Sequence, residues 1–328
     1  MPTVLEICAG GGGQALGLEN AGFEAVGLVE NDHYACATLR RNRPAWPVFE
    51  TDVRRLDPEG FRGVDLVAGG VPCPPFSVAG KQLGGEDERD LFPAALHLVE
   101  QLDPGGVLLE NVAGFASRRF IAYRRALISR LDGLGYWVDA SIVNARDFGV
   151  PQLRPRFILV AVKKHLAHFF AWPSSTTPGA SVGEVLVDLM ASRGWPGAAE
   201  WAAGADDIAP TLVGGSKKHG GADLGPTRAR AAWKRLGVNG LSLADAPPGP
   251  DFPVGTMPRL TVRMAARIQG FPDTWRFEGG KTAAYRQVGN ALPPPVAEAV
   301  GRSLRAALLR QEPDLSAEEQ LVLRYQTA

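Results

Sequence analysis

The sequence contains little that would tie it to a membrane or an oxidising compartment. No hydrophobic run among its 328 residues is long enough to span a bilayer, and the amino terminus lacks the basic start and apolar stretch of a signal segment. It has only three cysteines, Cys8, Cys36 and Cys73, and their spacing fits neither a disulfide framework nor a metal site. We therefore expect a globular cytoplasmic protein with free thiols and no bound metal.

An excess of positive charge is also missing. Lysine plus arginine and aspartate plus glutamate each total 35, so the net charge by itself does not indicate a nucleic-acid-binding protein. The local distribution is uneven, because residues 217–235 contain six basic side chains against the single acidic Asp223. Such a cluster is most often a solvated face. Alone it is weak evidence for a phosphate-binding surface.

Residues 3–165 alternate apolar strands with amphipathic helices, which predicts an α/β fold with a doubly wound, mainly parallel sheet. The predicted strands are 3–8, 23–29, 64–68, 107–109 and 157–162, and the predicted helices lie near 13–21, 32–41, 91–102, 119–134, 259–268 and 293–309. The stretch 171–258 is rich in glycine, proline and tryptophan with poor periodicity, and predicts a second, smaller, loop-rich lobe. We divide the chain into a catalytic and cofactor-binding domain (1–170), a small domain (171–280), a segment returning to the first domain (281–310) and a tail (311–328).

A glycine-rich turn follows the first predicted strand. Ala9 to Gly13 would let a ligand approach the backbone closely and opens onto a helix amino terminus. Glu30, at the end of the second strand, is placed to accept hydrogen bonds from ribose hydroxyls, and Asp52 could contact an adenine amino group. Such a turn serves nicotinamide dinucleotides and S-adenosylmethionine alike. A cysteine-bearing loop at the same sheet edge favours alkyl transfer.

That loop is Pro72-Cys73-Pro74, directly after the apolar run 64–70. The flanking prolines restrict the backbone, so the loop is stiff where a nucleophile must be aimed. Without further context, a small buried cysteine beside a proline turn is an equally good interpretation of Cys73.

The order of the motifs along the chain resembles that of the DNA (cytosine-5) methyltransferase family, over residues 3–165 and 258–301. The matching segments are 6–13, Glu30, Asp52, Pro72-Cys73, 87–92, Glu110-Asn111-Val112, 152–156, 259–261 with 267–272, and 287–291. Any one of these matches could arise by chance, whereas the ordered set leaves little room for that. The resemblance implies the Rossmann-like fold of S-adenosylmethionine-dependent methyltransferases.

The resemblance also implies four catalytic residues. Cys73 would add to C6 of a flipped-out cytosine so that C5 can take the methyl group. Glu110 would hydrogen-bond N3 and the exocyclic amine, and burial beside apolar neighbours would raise its pKa in the required direction. Arg156 would bind the base carbonyl O2, while Arg154 would hold a phosphate or the catalytic loop.

S-adenosylmethionine is the cofactor that the resemblance implies. The residues expected to bind it are Cys8, Ala9, Gly10, Gly11, Gly13, Glu30, Asn31, Asp52, Val53, Pro72, Leu91, Asn290 and Ala291. Three positions depart from the family pattern. Pro74 replaces the usual glutamine after the cysteine, and Cys8 and Asn31 stand where aromatic residues are common, so adenine stacking is expected to be weaker or supplied elsewhere.

In this family the variable middle region reads the DNA sequence, so residues 172–257 are expected to form the target-recognition region. Lys217, Lys218, Arg228 and Arg230 are its candidate DNA contacts. The expected partners are duplex DNA and a cognate restriction endonuclease acting on the same site, and we expect a monomer associated with the nucleoid. Three alternatives stay open: an RNA cytosine-5 methyltransferase, a DNA-binding regulator with a vestigial catalytic lobe and a nicotinamide dehydrogenase.

Overall fold

The structure is a computed structural model that describes residues 1–72, 90–175, 179–215 and 221–312. Its strands are β1 (Thr3–Ile7), β2 (Glu24–Glu30), β3 (Val48–Glu50), β4 (Leu66–Gly70), β5 (Gly106–Val112), β6 (Tyr136–Asn144), β7 (Gln152–Leu153), β8 (Pro155–Lys163) and β9 (Ala209–Pro210). Its helices are α1 (Gly13–Asn20), α2 (His33–Asn42), α3 (Phe92–Leu102), α4 (Ile121–Gly133), α5 (Val182–Ala191), α6 (Ala198–Gly204), α7 (Thr227–Arg235), α8 (Val262–Ile268), α9 (Lys281–Asn290) and α10 (Pro294–Leu308). Among the described residues, no helix is both long and apolar enough to cross a membrane.

Seven of the strands form one sheet in the order β3-β2-β1-β4-β5-β8-β6. The first five are parallel, and β8 runs antiparallel to both of its neighbours. The predicted doubly wound, mainly parallel sheet is therefore confirmed. The chain proceeds from β1 outward to β2 and β3, then returns to the other side of β1 for β4 and β5. This reversal opens a crevice at the carboxyl ends of β1 and β4, where ligands bind in such sheets.

Helices cover both faces of the sheet because its central strands are apolar on both sides. One face packs against α1 and α10 through residues such as Leu18, Leu66 and Leu304. The other packs against α3 and α4 through Leu96 and Leu131. Helices α1 and α10 cross closely at Gly17, where a Cβ atom would lie 2.4 Å from the carbonyl oxygen of Pro294.

The stretch 171–258 is more helical than its composition predicts. It contains α5, α6 and α7, whose apolar side chains form a separate cluster around Trp233 and Trp201 together with α8. Helix α5 begins with a capping box, in which the Ser181 hydroxyl accepts from the Glu184 amide and the Glu184 carboxylate accepts from the Ser181 amide. Ser-x-x-Glu before an apolar run is the sequence signal that would have located this helix. Thr261 is the N-cap of α8, and its hydroxyl accepts from the Met264 amide.

Candidate active site

A cavity of about 570 Å³ lies at the carboxyl ends of β1, β2, β4 and β5, in the range of small-molecule binding sites. The structure brings all thirteen predicted cofactor residues to its wall, together with Glu110 and Arg156. Cys73, Lys217 and Lys218 lie outside the described residues. Among the described residues there is no cluster of three or more His, Cys, Asp or Glu side chains that could hold a metal ion.

The glycine turn between β1 and α1 forms the floor of the cavity. Gly10 has a φ of +54°, and a Cβ atom on it would meet nothing within 4 Å, so its backbone faces open space that a ligand can enter. At Gly13 the restriction is packing, because a Cβ atom would lie 2.3 Å from the carbonyl oxygen of Leu292. Cys8 also adopts a left-handed conformation, with a φ of 53°. The turn therefore offers bare backbone to a ligand on one side and packs tightly on the other.

Glu30 is held rigidly at the end of β2. Its Oε2 accepts from the Gly10 amide at 2.8 Å, and its Oε1 accepts from the amides of Asn31 at 2.8 Å and Asp32 at 2.7 Å. A carboxylate offers about four acceptor positions, so at least one is left for a hydroxyl group in the cavity. The remaining acceptor position of Glu30 suits a ribose diol. The hydrogen bond from Gly10 holds the glycine turn against the same Glu30 carboxylate.

Asp52 lies after β3 and is paired with Arg54. Both Oδ atoms accept from the guanidinium, at 2.9 Å and 2.5 Å, and the Arg54 amide donates to Oδ1. The side-chain hydrogen bond from Arg54 is the main reason why the pKa of Asp52 is lowered to about 2. Asp52 is therefore ionised near neutral pH and acts only as an acceptor, as contact with an adenine amino group requires.

Glu110 and Arg156 form an ion pair at the opposite end of the cavity. The Glu110 Oε1 lies 2.9 Å from the Arg156 Nε, and both side chains are only about 10% exposed. They meet because β5 and β8 are adjacent and antiparallel, with Asn111 paired to Phe157. Burial raises the pKa of Glu110, while Arg156 and Arg154 oppose this shift. A buried carboxyl beside a guanidinium can bind a planar base through both a proton donor and an acceptor.

Asn111, next to Glu110, fixes the start of the segment that leads to Cys73. Its Nδ2 donates to the carbonyl oxygen of Val71 at 2.9 Å, and the side chain is 3% exposed. Val71 precedes Pro72, which lines the cavity. The asparagine of this motif was noted in the sequence without a role. The structure assigns it the anchoring of the strand end.

Arg154 does not occupy the environment that the sequence predicted for it. The side chain is fully buried and absent from the cavity wall. Its NH1 donates to the carbonyl oxygen of Leu212 at 2.8 Å, and its NH2 donates to those of Gly289 at 2.7 Å and Ala291 at 2.9 Å. The guanidinium thus connects the start of β8 to the end of α9 and to the segment around residue 212. These contacts give Arg154 an internal structural role, and its full burial leaves no surface open to a phosphate. The predicted contact with the catalytic loop falls on residues outside the described ranges and stays a prediction.

Arg154→Met should therefore lower stability. The change removes this donor from two buried carbonyl oxygens, those of Leu212 and Gly289, and from the partly buried one of Ala291. We therefore expect the free energy of unfolding to fall by about 3 kcal/mol. Chemical denaturation followed by tryptophan fluorescence measures the loss. Arg302→Met is the matched control, because the Arg302 side chain is 68% exposed and pairs with Glu298 on the preceding turn of α10. Equal stability of the two variants would contradict the structural role.

The remaining predicted DNA contacts lie on α7. Arg228 is exposed and Arg230 is partly buried, and two residues apart on a helix they point to different sides. The helix geometry therefore does not favour contact of both side chains with the same DNA groove. Their roles stay predictions.

Sequence reasoning missed part of the cavity wall. Helix α9 contributes the stripe Ala283, Arg286, Gln287 and Asn290, but of these only Asn290 was predicted to contact a ligand. The spacing i, i+3, i+4, i+7 is the signal of one helix face and would have identified them once α9 was recognised as a helix. Gln287 packs on the glycine turn, where its Cβ lies 3.0 Å from the position of a Cβ on Gly11.

Comparison with known proteins identifies the family. The model for C-5 cytosine-specific DNA methylases matches residues 2–211 and 225–306. The Type II methyltransferase M.NaeI of Lentzea aerocolonigenes is 57% identical over 309 residues, covering 93% of this chain and 75% of the relative. The Type II methyltransferase M.NgoMIV of Neisseria gonorrhoeae is 48% identical over 323 residues, covering 94% and 99%.

Solved structures share the fold. A putative DNA modification methyltransferase encoded within an Escherichia coli prophage superimposes with a TM-score of 0.65 at 25% identity, covering 95% of this chain and 100% of that one. The DNMT2 of Spodoptera frugiperda superimposes with a TM-score of 0.68 at 17% identity, covering 93% and 100%. The chain belongs to the C-5 cytosine-specific DNA methylase family and is a DNA cytosine-5 methyltransferase.

Proposed function

We propose that the protein transfers a methyl group from S-adenosylmethionine to C5 of a cytosine flipped out of duplex DNA, through a covalent adduct between Cys73 and C6. The observation that carries this proposal is the Glu110–Arg156 pair, which lies in one cavity with the glycine turn and Glu30. One end of the cavity suits a nucleoside and the other a planar base.

The cofactor site fits the group. Bare backbone at Gly10 leaves room for the ligand, Glu30 offers an acceptor to the ribose and Asp52 offers one to the adenine amino group. S-adenosylmethionine supplies an electrophilic methyl group when bound. Cys8 lines the wall with a small thiol, and burial raises the pKa of that thiol well above its usual range, so it is neutral and contributes only weak packing.

The chain's own residues activate the base. The Cys73 thiolate adds to C6, and the electron pair of the C5–C6 double bond becomes available at C5 for attack on the methyl group. Glu110 donates a proton to N3 as that charge develops, and Arg156 binds the carbonyl O2. A solvent water molecule then takes the proton from C5, and the electron pair released restores the C5–C6 double bond and expels the Cys73 thiolate from C6. N3 returns its proton to Glu110, which frees the enzyme for another cycle. The target base must leave the helix to reach this cavity.

Two measurements test the reaction and its substrate. Purified protein is incubated with tritiated S-adenosylmethionine and either duplex DNA or structured RNA, and the labelled base is identified after digestion. We expect label in 5-methylcytosine from DNA only. DNA containing 5-fluorocytosine should also trap the protein covalently, because fluorine at C5 cannot leave as a proton does. Transfer to RNA alone, or label on another base atom, would contradict the proposal.

We further propose that the methylation protects a specific site from a restriction endonuclease, as the Type II relatives suggest. Sequencing 5-methylcytosine in the genomic DNA of an expressing host reveals the site. Digestion of that DNA with endonucleases that cut there should be blocked. Methylation spread over all cytosines, without a fixed sequence context, would contradict a modification role. A monomeric state and a nucleoid location stay predictions.

A further inference from the structure

Arg286 is a cation on the cavity wall that the proposed reaction does not use. It lies on α9 one turn before Asn290, on the helix face that also presents Ala283 and Gln287 to the cavity. Its side chain is partly buried. Arg286 can therefore reach a ligand in the cavity. Because its side chain is partly shielded from water, an ion pair formed there is stronger than one at an open surface.

Glu6 also lines the cavity, as a buried carboxyl with one oxygen that has no partner, and therefore cannot attract an anion. The remaining charged side chains of the wall are already engaged. Arg156 pairs with Glu110, Asp52 pairs with Arg54 and Glu30 accepts from three backbone amides. Asp32 caps α2 by accepting from the amides of residues 34 and 35. Within the ranges that the structure describes, Arg286 makes no ion pair and its guanidinium donates no hydrogen bond. Among the described residues of the wall, Arg286 therefore has the guanidinium that is available to bind an anionic group of the ligand.

The geometry of the wall indicates which group that is. The nucleoside end is defined by Glu30 and Asp52, and the target-base end by Glu110. Between them, α9 lies across the glycine turn, since Gln287 packs on Gly11 and Ala291 packs on Gly13. The amino-acid arm of a sulfonium cofactor branches from the sulfur, and a cofactor held at both ends would bring this arm to the wall where α9 crosses the glycine turn. Its carboxylate is the only anion that the cofactor carries.

We propose that Arg286 binds the carboxylate of the amino-acid arm of S-adenosylmethionine and of its product S-adenosylhomocysteine. This inference rests on the proposed cofactor. A guanidinium suits the task because its planar donors match both carboxylate oxygens. Arg286 thereby selects ligands that carry the amino-acid arm over simple adenosine thioethers.

Calorimetric titration with two ligands tests the proposal without turnover. One is S-adenosylhomocysteine, and the other is its decarboxylated analogue, which keeps the adenosine, the sulfur and the amine. Wild-type protein should prefer S-adenosylhomocysteine by about tenfold, which corresponds to one charge-assisted pair. In Arg286→Gln this preference should disappear, while affinity for the decarboxylated analogue stays within about twofold. Arg286→Lys should retain part of the preference, because the charge remains without the fork of donors.

Lys281→Gln is the matched control. It removes a positive charge from the same helix, but Lys281 pairs with Asp245 and does not line the cavity. It should keep the full preference. If Arg286→Gln weakens both ligands equally, or neither, the inference is wrong. The same holds if it lowers affinity for duplex DNA and leaves the ligand preference intact, which would assign Arg286 to a phosphate. Wild-type protein that binds neither ligand would instead contradict the proposed cofactor.

Discussion

Cys73→Ala is expected to lower the rate of methyl transfer by on the order of 10⁵-fold, the scale on which enzymes lose activity when their nucleophile is removed. Without addition at C6, C5 of cytosine is too weak a nucleophile to take the methyl group. The loss should appear in single-turnover rates, and covalent trapping on 5-fluorocytosine DNA should vanish. Binding of S-adenosylhomocysteine should persist, because the cofactor wall is contributed by other residues.

The chain offers two matched controls for this variant, since its other cysteines have different surroundings. Cys36 is buried on α2, where its thiol donates to the carbonyl oxygen of Glu30 at 3.4 Å. Cys36→Ala should retain most of the activity. Cys8→Ala changes the cavity wall, so it should alter cofactor affinity while the trapped adduct still forms. Trapping that survives in Cys73→Ala and disappears in Cys8→Ala would contradict the assignment of Cys73 as nucleophile.

The part of the site that follows from sheet topology was predictable from the sequence. Gly10 follows β1, Glu30 ends β2 and Glu110 lies near the carboxyl end of β5. The carboxyl ends of parallel strands meet at one edge of the sheet. Local patterns therefore place residues 100 positions apart at the same cavity. The ordered motifs added the chemistry, and the family match confirms the enzyme class.

Arg154 shows what sequence patterns cannot supply. It stands two residues before Arg156, and the same motif suggested a shared role at the site. In the fold, Arg156 lies on β8 and reaches Glu110, whereas Arg154 precedes β8 and binds carbonyl groups 58 and 135 residues away in the chain. Such contacts depend on where α9 and the segment around residue 212 return to the sheet. The periodicity of apolar residues does not show where these distant segments pack against the sheet.

Edge strand β6 was not predicted because its sequence gives only a weak local signal for a strand. Its residues, Tyr136–Asn144, are mostly only partly covered, and polar residues interrupt its apolar positions. Pairing with β8 holds the strand in place. An edge strand that is only partly buried is hard to recognise from sequence, because strand propensity depends strongly on packing context.

Glu110→Gln is expected to lower the rate of the chemical step by about 10³-fold, within the range for loss of a general acid. The amide keeps the shape, and its oxygen can still accept from Arg156, so the pair is altered without leaving the guanidinium alone. What is lost is the proton that Glu110 supplies to N3. Thermal unfolding and S-adenosylhomocysteine binding should stay close to wild type, which separates the chemical loss from misfolding.

The pH dependence gives the sharper test. Burial raises the pKa of Glu110 above its usual range, so the protonated form persists to higher pH than for an exposed carboxyl. The reaction needs that proton, and the wild-type rate should therefore fall as pH rises through the raised pKa. The amide does not titrate, so the alkaline decline should be absent in Glu110→Gln, and only the rise from ionisation of Cys73 should remain. An unchanged alkaline limb in the variant would assign that limb to another group and remove Glu110 from the role of proton donor.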